Sequence, residues 1–248
     1  MKNWIFIIII ALITVAVANI IQFGWRVKIG KALARNSQAF SFAPTQPDLR
    51  ILIVGDSTAV GTGAAMPEQS TAGHFHQEFP NAEIVNISRN GAKISGITAM
   101  FQQAQGKFDL VLIQGGANNI IYFTPLPEAK QNMDALLKEA KKYSDNVVLL
   151  TSGNIGAAPI WPWPVNWIYT SRSRKFLAEF ETLAQTNDVL FVKLFQEKSE
   201  DVFLNDIKKY YAADRLHLTG AGYKSWYNQI RATMTAGHIN LIKKIRLN

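Results

Sequence analysis

Two short segments of this 248-residue chain carry residue types suited to acyl transfer. The first is ILIVGDSTAVGTG, residues 51–63, where Asp56 and Ser57 directly follow Gly55. The second lies far downstream and reads Asp214, Arg215, Leu216, His217. A serine hydroxyl is a weak nucleophile until a base takes its proton, and an imidazole oriented by a carboxylate is well suited to that task. Ser57, His217 and Asp214 could supply those three parts. The β-branched run from Ile51 to Val54 reads as a buried strand entering a tight turn at Gly55. The Ser57 hydroxyl then stands at the carboxyl end of a strand, where open α/β sheets gather their ligands. Its own N–H can face a developing oxyanion. The plainer reading of Asp56 and Ser57 is a cap on the next helix. The downstream base and carboxylate tip the balance toward chemistry.

These residues need a scaffold that brings them together. After the first strand, the pattern predicts strands at 83–87, 109–114, 146–151 and 189–194. Helices are expected at 68–79, 94–105, 126–143, 171–186 and 219–236. Such alternation implies a parallel sheet with helices on both faces. Right-handed crossovers put every strand's carboxyl end on one rim. Ser57, the Asn90–Gly91 turn and the Gly116–Asn118 turn should all lie there.

With its motifs in this order, the chain resembles the SGNH (GDSL-type) hydrolase superfamily over most of residues 50–236. Gly55 to Ser57 resembles the first block, Asn90–Gly91 the second, Gly116 to Asn118 the third and Asp214 to His217 the last. The resemblance implies an α/β fold, a three-layer α/β/α sandwich on a five-stranded parallel sheet of flavodoxin-like order. It implies Ser57 as nucleophile, His217 as base and Asp214 as the carboxylate that fixes the imidazole. The Ser57 N–H, the Gly91 N–H and the Asn118 side-chain amide would form the oxyanion hole. An acyl-serine forms and water releases it, with no metal or cofactor required. Asn119 departs from the pattern, since the third block ordinarily ends in Asp. Asn keeps the shape of Asp, loses its charge and can turn an acceptor into a donor.

Composition narrows the setting. The absence of cysteine excludes disulfides, thiolate metal sites and thiol nucleophiles. The formal charge is +8, and the first 35 residues hold five of the 26 bases and none of the 18 acids. Trp4 to Phe23 is a run of 20 uncharged residues. As a helix it spans roughly 30 Å, about the thickness of a bilayer's hydrocarbon core. Trp4 and Trp25 stand where aromatic belts form. Because the bases flank this run, a membrane surface is a better partner than nucleic acid. The reading is a single-pass anchor over 1–25, a basic and polar linker over 26–49 and a hydrolase domain over 50–248. A signal peptide cut near Ala16 to Ala18 is the rival, but the apolar run continues past it. Arg26, Lys28, Lys31 and Arg35 outnumber the positive charge at Lys2, so the positive-inside rule favours a cytoplasmic domain. An anchor that delivers an esterase to the outer face is the other design.

The remaining candidates are weaker. The segment 154–169 holds Trp161, Trp163 and Trp167 among three prolines and reads as an apolar flap over the rim. Trp161, Trp163, Trp167 and Asn119 are candidate substrate-binding residues. The flap could equally tuck its tryptophans against the core. His74 and His76 are two apart, do not share a helix face, and read as surface residues rather than metal ligands. Arg215 reads as exposed, with contact to an anionic substrate as the alternative. The expected activity is hydrolysis of a small or lipid-like acyl ester, or a thioester. The alternatives are a carbohydrate O-acetylesterase and a catalytically silent, membrane-tethered interaction protein.

Overall fold

The computed structural model describes residues 2–239 and residue 241. Five parallel strands form one sheet: β1 (Leu49–Gly55), β2 (Ala82–Asn86), β3 (Leu110–Gln114), β4 (Val147–Leu150) and β5 (Leu190–Val192). Their order is β2-β1-β3-β4-β5, the flavodoxin-like arrangement. Side chains alternate across the pleat. Leu52, Val54, Val111, Ile113, Val147 and Leu149 face α4 (Ile94–Met100), α6 (Leu126–Lys141) and α7 (Val165–Thr186). Ile51, Ile53, Leu110, Leu112, Val148 and Leu150 face α3 (Thr71–Glu78) and α9 (Gly220–Ala236). Both faces are buried, so the strands read as continuous apolar runs rather than alternating ones. The three layers match the sequence expectation.

Five elements differ from it. The helix expected at 171–186 starts six residues earlier, at Val165, once Pro162 and Pro164 are past. Edge strand β5 keeps only three residues, because only Leu190 to Val192 find partners on β4. Short helices α2 (Ser57–Val60), α5 (Ala117–Ile121) and α8 (Ile207–Tyr210) were too brief to show a period.

The first helix, α1 (Lys2–Asn36), runs unbroken through residues 26–36, read from the sequence as linker. Among the described residues it is long and apolar enough to cross a membrane. Its side chains from Trp4 to Gln22 are exposed. From Phe23 onward one face is partly covered by the domain, where Phe23 and Val27 pack against Ala158, Ile160, Leu218 and Tyr223. The chain then returns to the sheet, and Phe42 makes an isolated antiparallel bridge with Ile84.

Candidate active site

Ser57 is the first residue of α2, just past the end of β1. Asp56 caps that helix: its Oδ1 accepts from the Thr58 N–H and the Thr58 hydroxyl, both at 2.9 Å. The cap reading of this motif is therefore correct for Asp56, and it leaves Ser57 free to face the cleft. The Ser57 N–H is one of the first-turn donors that an α-helix leaves without an internal partner.

His217 reaches Ser57 from a tight loop before α9. Tyr211 pairs with Leu218, and the Ala212 N–H donates to the His217 carbonyl at 2.8 Å. Asp214 Oδ1 accepts from the Leu216 and His217 N–H groups at 3.1 Å each, and Arg215 turns the loop tip at φ 63°. This loop lies against the segment that follows α2 because Gly63 has no side chain. A Cβ there would stand 2.5 Å from the Leu218 carbonyl oxygen and 3.0 Å from the His217 Cβ. The ring of His217 then links both partners. Its Nδ1 lies 2.5 Å from Asp214 Oδ2 and its Nε2 lies 3.0 Å from Ser57 Oγ, across 160 residues of sequence. With the proton on Nδ1, Nε2 accepts from the serine hydroxyl.

The electrostatics differ between the two acids. Burial pushes the Asp214 carboxyl up, but the His217 ring and the loop N–H groups outweigh it and hold it below the usual carboxylate value. It therefore stays ionised beside the imidazole. Burial raises Asp56 to about 6, against the lowering effect of its Thr58 hydrogen bonds and the nearby His217 charge. Its Oδ2 is buried with no hydrogen-bond partner among the described residues.

Asn118 is the second residue of α5 and lines the cleft, as does Gly91. One hydrogen of the Asn118 amide goes to the Ala92 carbonyl at 3.0 Å, which fixes the amide and leaves its second hydrogen for the cleft. Among the described residues, no backbone hydrogen bond takes up the Gly91 N–H. Ser57, Gly91, Asn118 and His217 thus share one cavity of about 730 Å³. The volume is that of a small-molecule site.

Other expectations need correction. Asn119 is not in the cleft. It is 1% exposed; its Oδ1 accepts the first N–H of α4 (Ile94, 2.9 Å) and its amide reaches the Thr124 hydroxyl at 3.4 Å. An acceptor is what that position needs, and Asn supplies it without burying a charge. Trp161 does line the cavity, its ring tilted against those of Tyr169 at 4.1 Å and Phe23 at 5.7 Å. Trp163 and Trp167 do not; they meet edge to face at 5.9 Å and are 72% and 64% exposed. His74 is buried rather than on the surface, with Nδ1 3.0 Å from Gln77 Oε1 and its ring near Tyr227. His76 instead lies against Phe42. Arg215 is half-buried.

A whole wall of the cleft was missed. Phe23, Arg26, Val27, Gly30, Lys31 and Ala34 of α1 all line the cavity. Their 3-4 spacing is one face of a single helix. Asn90, read only as a turn residue, ties this wall to the rim: its amide donates to the Ala34 carbonyl at 2.8 Å and to Ser37 Oγ at 3.0 Å. Its Oδ1 accepts from the Thr62 hydroxyl at 2.6 Å.

Residues 53–225 match the GDSL-like lipase/acylhydrolase family. No curated protein matches the sequence. Among solved structures, the psychrotrophic esterase EstA from Pseudoalteromonas sp. is 17% identical, with a TM-score of 0.55 over 77% of this chain and 99% of its own. An acetylxylan esterase from Geobacillus stearothermophilus is 18% identical, with a TM-score of 0.56 over 77% and 96%. A protein from Lactobacillus plantarum is 15% identical, with a TM-score of 0.63 over 77% and 98%. At these identities the likeness is one of fold.

Proposed function

This chain belongs to the GDSL-like lipase/acylhydrolase family, and from that premise we propose how its residues divide the work. It is an ester hydrolase. Ser57 Oγ attacks the ester carbonyl while His217 Nε2 takes its proton. Asp214 holds the ring and stabilises the imidazolium. The Ser57 N–H, the Gly91 N–H and the free Asn118 amide hydrogen meet the oxyanion. His217 then returns its proton to the leaving alcohol, and an acyl-serine remains. Water, activated by the same imidazole, hydrolyses that intermediate. What carries this reading is the hydrogen-bonded series from Ser57 through His217 to Asp214.

The substrate is an acyl ester with an apolar chain, and α1 is a membrane anchor. The cavity is walled by Phe23, Val27, Ile160, Trp161 and Tyr169, which offer an acyl chain far more than they offer a sugar. Each methylene buried there contributes about 0.8 kcal/mol. The p-nitrophenyl ester series tests the reading on the full chain in detergent. The expected result is a kcat/KM that rises from acetate to octanoate and is lost in Ser57→Ala. A maximum at acetate favours an O-acetylesterase, and hydrolysis unchanged in Ser57→Ala contradicts the assignment of the nucleophile.

A further inference from the structure

The flap between β4 and α7 turns its tryptophans in two directions. Trp161 goes inward to the cleft, while Trp163 and Trp167 stay exposed, as does Ile168, the next residue of α7. The two outer rings meet edge to face and form one apolar surface. Exposed apolar patches of this kind mark contact with a partner or a membrane. No residue from Asn154 to Thr170 is charged, in a chain that is 18% charged. The flap therefore offers a protein partner no ion pair, and no charge resists its transfer out of bulk water. A bilayer's hydrocarbon core excludes irregular backbone, but its headgroup layer is wet enough to hydrate a loop.

The depth of this surface follows from its ties to α1. The Trp161 ring lies 5.7 Å from that of Phe23, and Arg26 Nη1 donates to the Pro159 carbonyl at 2.6 Å. Both ties fall where the apolar span of α1 gives way to charge. Trp163 is two residues from Trp161, and two residues of chain reach no more than about 7 Å. The headgroup layer on each side of a bilayer is about 5–8 Å deep. Trp163 therefore stays within about one headgroup depth of the tie to α1, and its ring contact holds Trp167 beside it. Trp25 of α1 is also exposed, about 3 Å along the axis beyond Phe23. Tryptophan gathers at this depth because its ring is apolar and its N–H stays wet. Continuity with the span is what identifies the occupant.

We propose that Trp163 and Trp167 form a second membrane contact, in which the outer edge of the flap rests in the headgroup layer of the bilayer that α1 spans. The contact rests on the anchor reading above and extends it from one point of attachment to two. A lone span lets helix and domain tilt together. Interfacial tryptophans beside it set that tilt. The flap then has one edge on the bilayer, through Trp163 and Trp167, and one on the cleft, through Trp161.

The test uses the full chain in nanodiscs of phosphatidylcholine and phosphatidylglycerol. The chain has no cysteine, so Trp163→Cys, Trp167→Cys, Ile13→Cys and Lys142→Cys each place a single nitroxide label. Ile13 lies within the apolar run, and exposed Lys142 follows α6 at the amino-terminal side of β4, away from the cleft rim. Power saturation gives each label's accessibility to oxygen relative to an aqueous nickel chelate, a ratio that rises with depth. The expected ratios at 163 and 167 lie above that at 142 and below that at 13. Ratios equal to that at 142, with a deep label at 13, would overturn the flap contact and leave the anchor standing. A label at 13 that reads as water would overturn the anchor reading and the contact with it. Labels at 163 and 167 shielded from both reagents would place the flap against protein and overturn the contact as well. A check without labels uses lipid brominated near the headgroup end of its chains. The fluorescence lost in Trp163→Phe/Trp167→Phe should be a part that this lipid quenches in wild type, and loss of unquenched fluorescence instead would overturn the contact.

Discussion

Gly30 of α1 lies against the carboxylate of Asp214, so closely that a Cβ built on it would stand 2.9 Å from Oδ2. The same oxygen holds the His217 ring. The N-terminal helix is therefore part of the site's surroundings. It seals the back of the acid that orients the imidazole, and it can do so because this position has no side chain.

Substituting Gly30→Val should displace the helix or the carboxylate and lower kcat/KM tenfold or more. Helix propensity alone favours valine over glycine, so lost activity reports the contact and not a weakened helix. Gly24→Val is the matched control, since nothing lies within 4 Å of a Cβ at that position. Turnover of a p-nitrophenyl ester by both variants in detergent checks this. Equal activities would mean that the helix does not press on Asp214 in solution.

The Asn118 amide is anchored to the Ala92 carbonyl by one hydrogen and aimed by it. Asn118→Ala should lower kcat by about 10²–10³ with little change in KM, because the lost bond forms in the transition state. A loss confined to KM would instead make Asn118 a substrate-binding group. Steady-state kinetics on a soluble ester separate the two.

Asp56 gives a pH signature opposite to that of most carboxylates. Burial raises it to about 6, so the folded chain holds its proton more tightly than the unfolded chain does. The resulting stability is present below the ordinary carboxylate value and is lost as pH rises through about 6. Its size is on the order of 3 kcal/mol. Asp56→Asn keeps the Thr58 cap and does not titrate. Wild type should therefore be more stable relative to Asp56→Asn at pH 4 than at pH 7. Urea denaturation at the two pH values checks this, and a difference independent of pH would contradict it.

The rim was legible from the sequence because its signals are local. Gly55-Asp56-Ser57 follows an apolar strand, Asn118 follows another, and His217 lies three residues from its own carboxylate, so each block reads by itself. The α1 wall was not legible in that way. Its Phe23–Ala34 face has helical spacing, but charge and glycine at Arg26, Gly30 and Lys31 look like the end of an apolar span. Only the distant Asp214 and Asn90 give those positions a reason. Asn119 was misplaced for a related cause. Its neighbour Asn118 faces the cleft, and one step along a helix turns a side chain by about 100°, here into the core beneath α4. Trp163 and Trp167 share the flap's composition with Trp161, and composition does not tell which of three tryptophans turns inward.

The most direct test is the site of covalent capture. The full chain, treated with a fluorophosphonate and digested, should carry a single adduct on the peptide containing Ser57. Labelling should vanish in Ser57→Ala and slow sharply in His217→Ala. An adduct on another residue, or labelling undiminished in Ser57→Ala, would contradict the account.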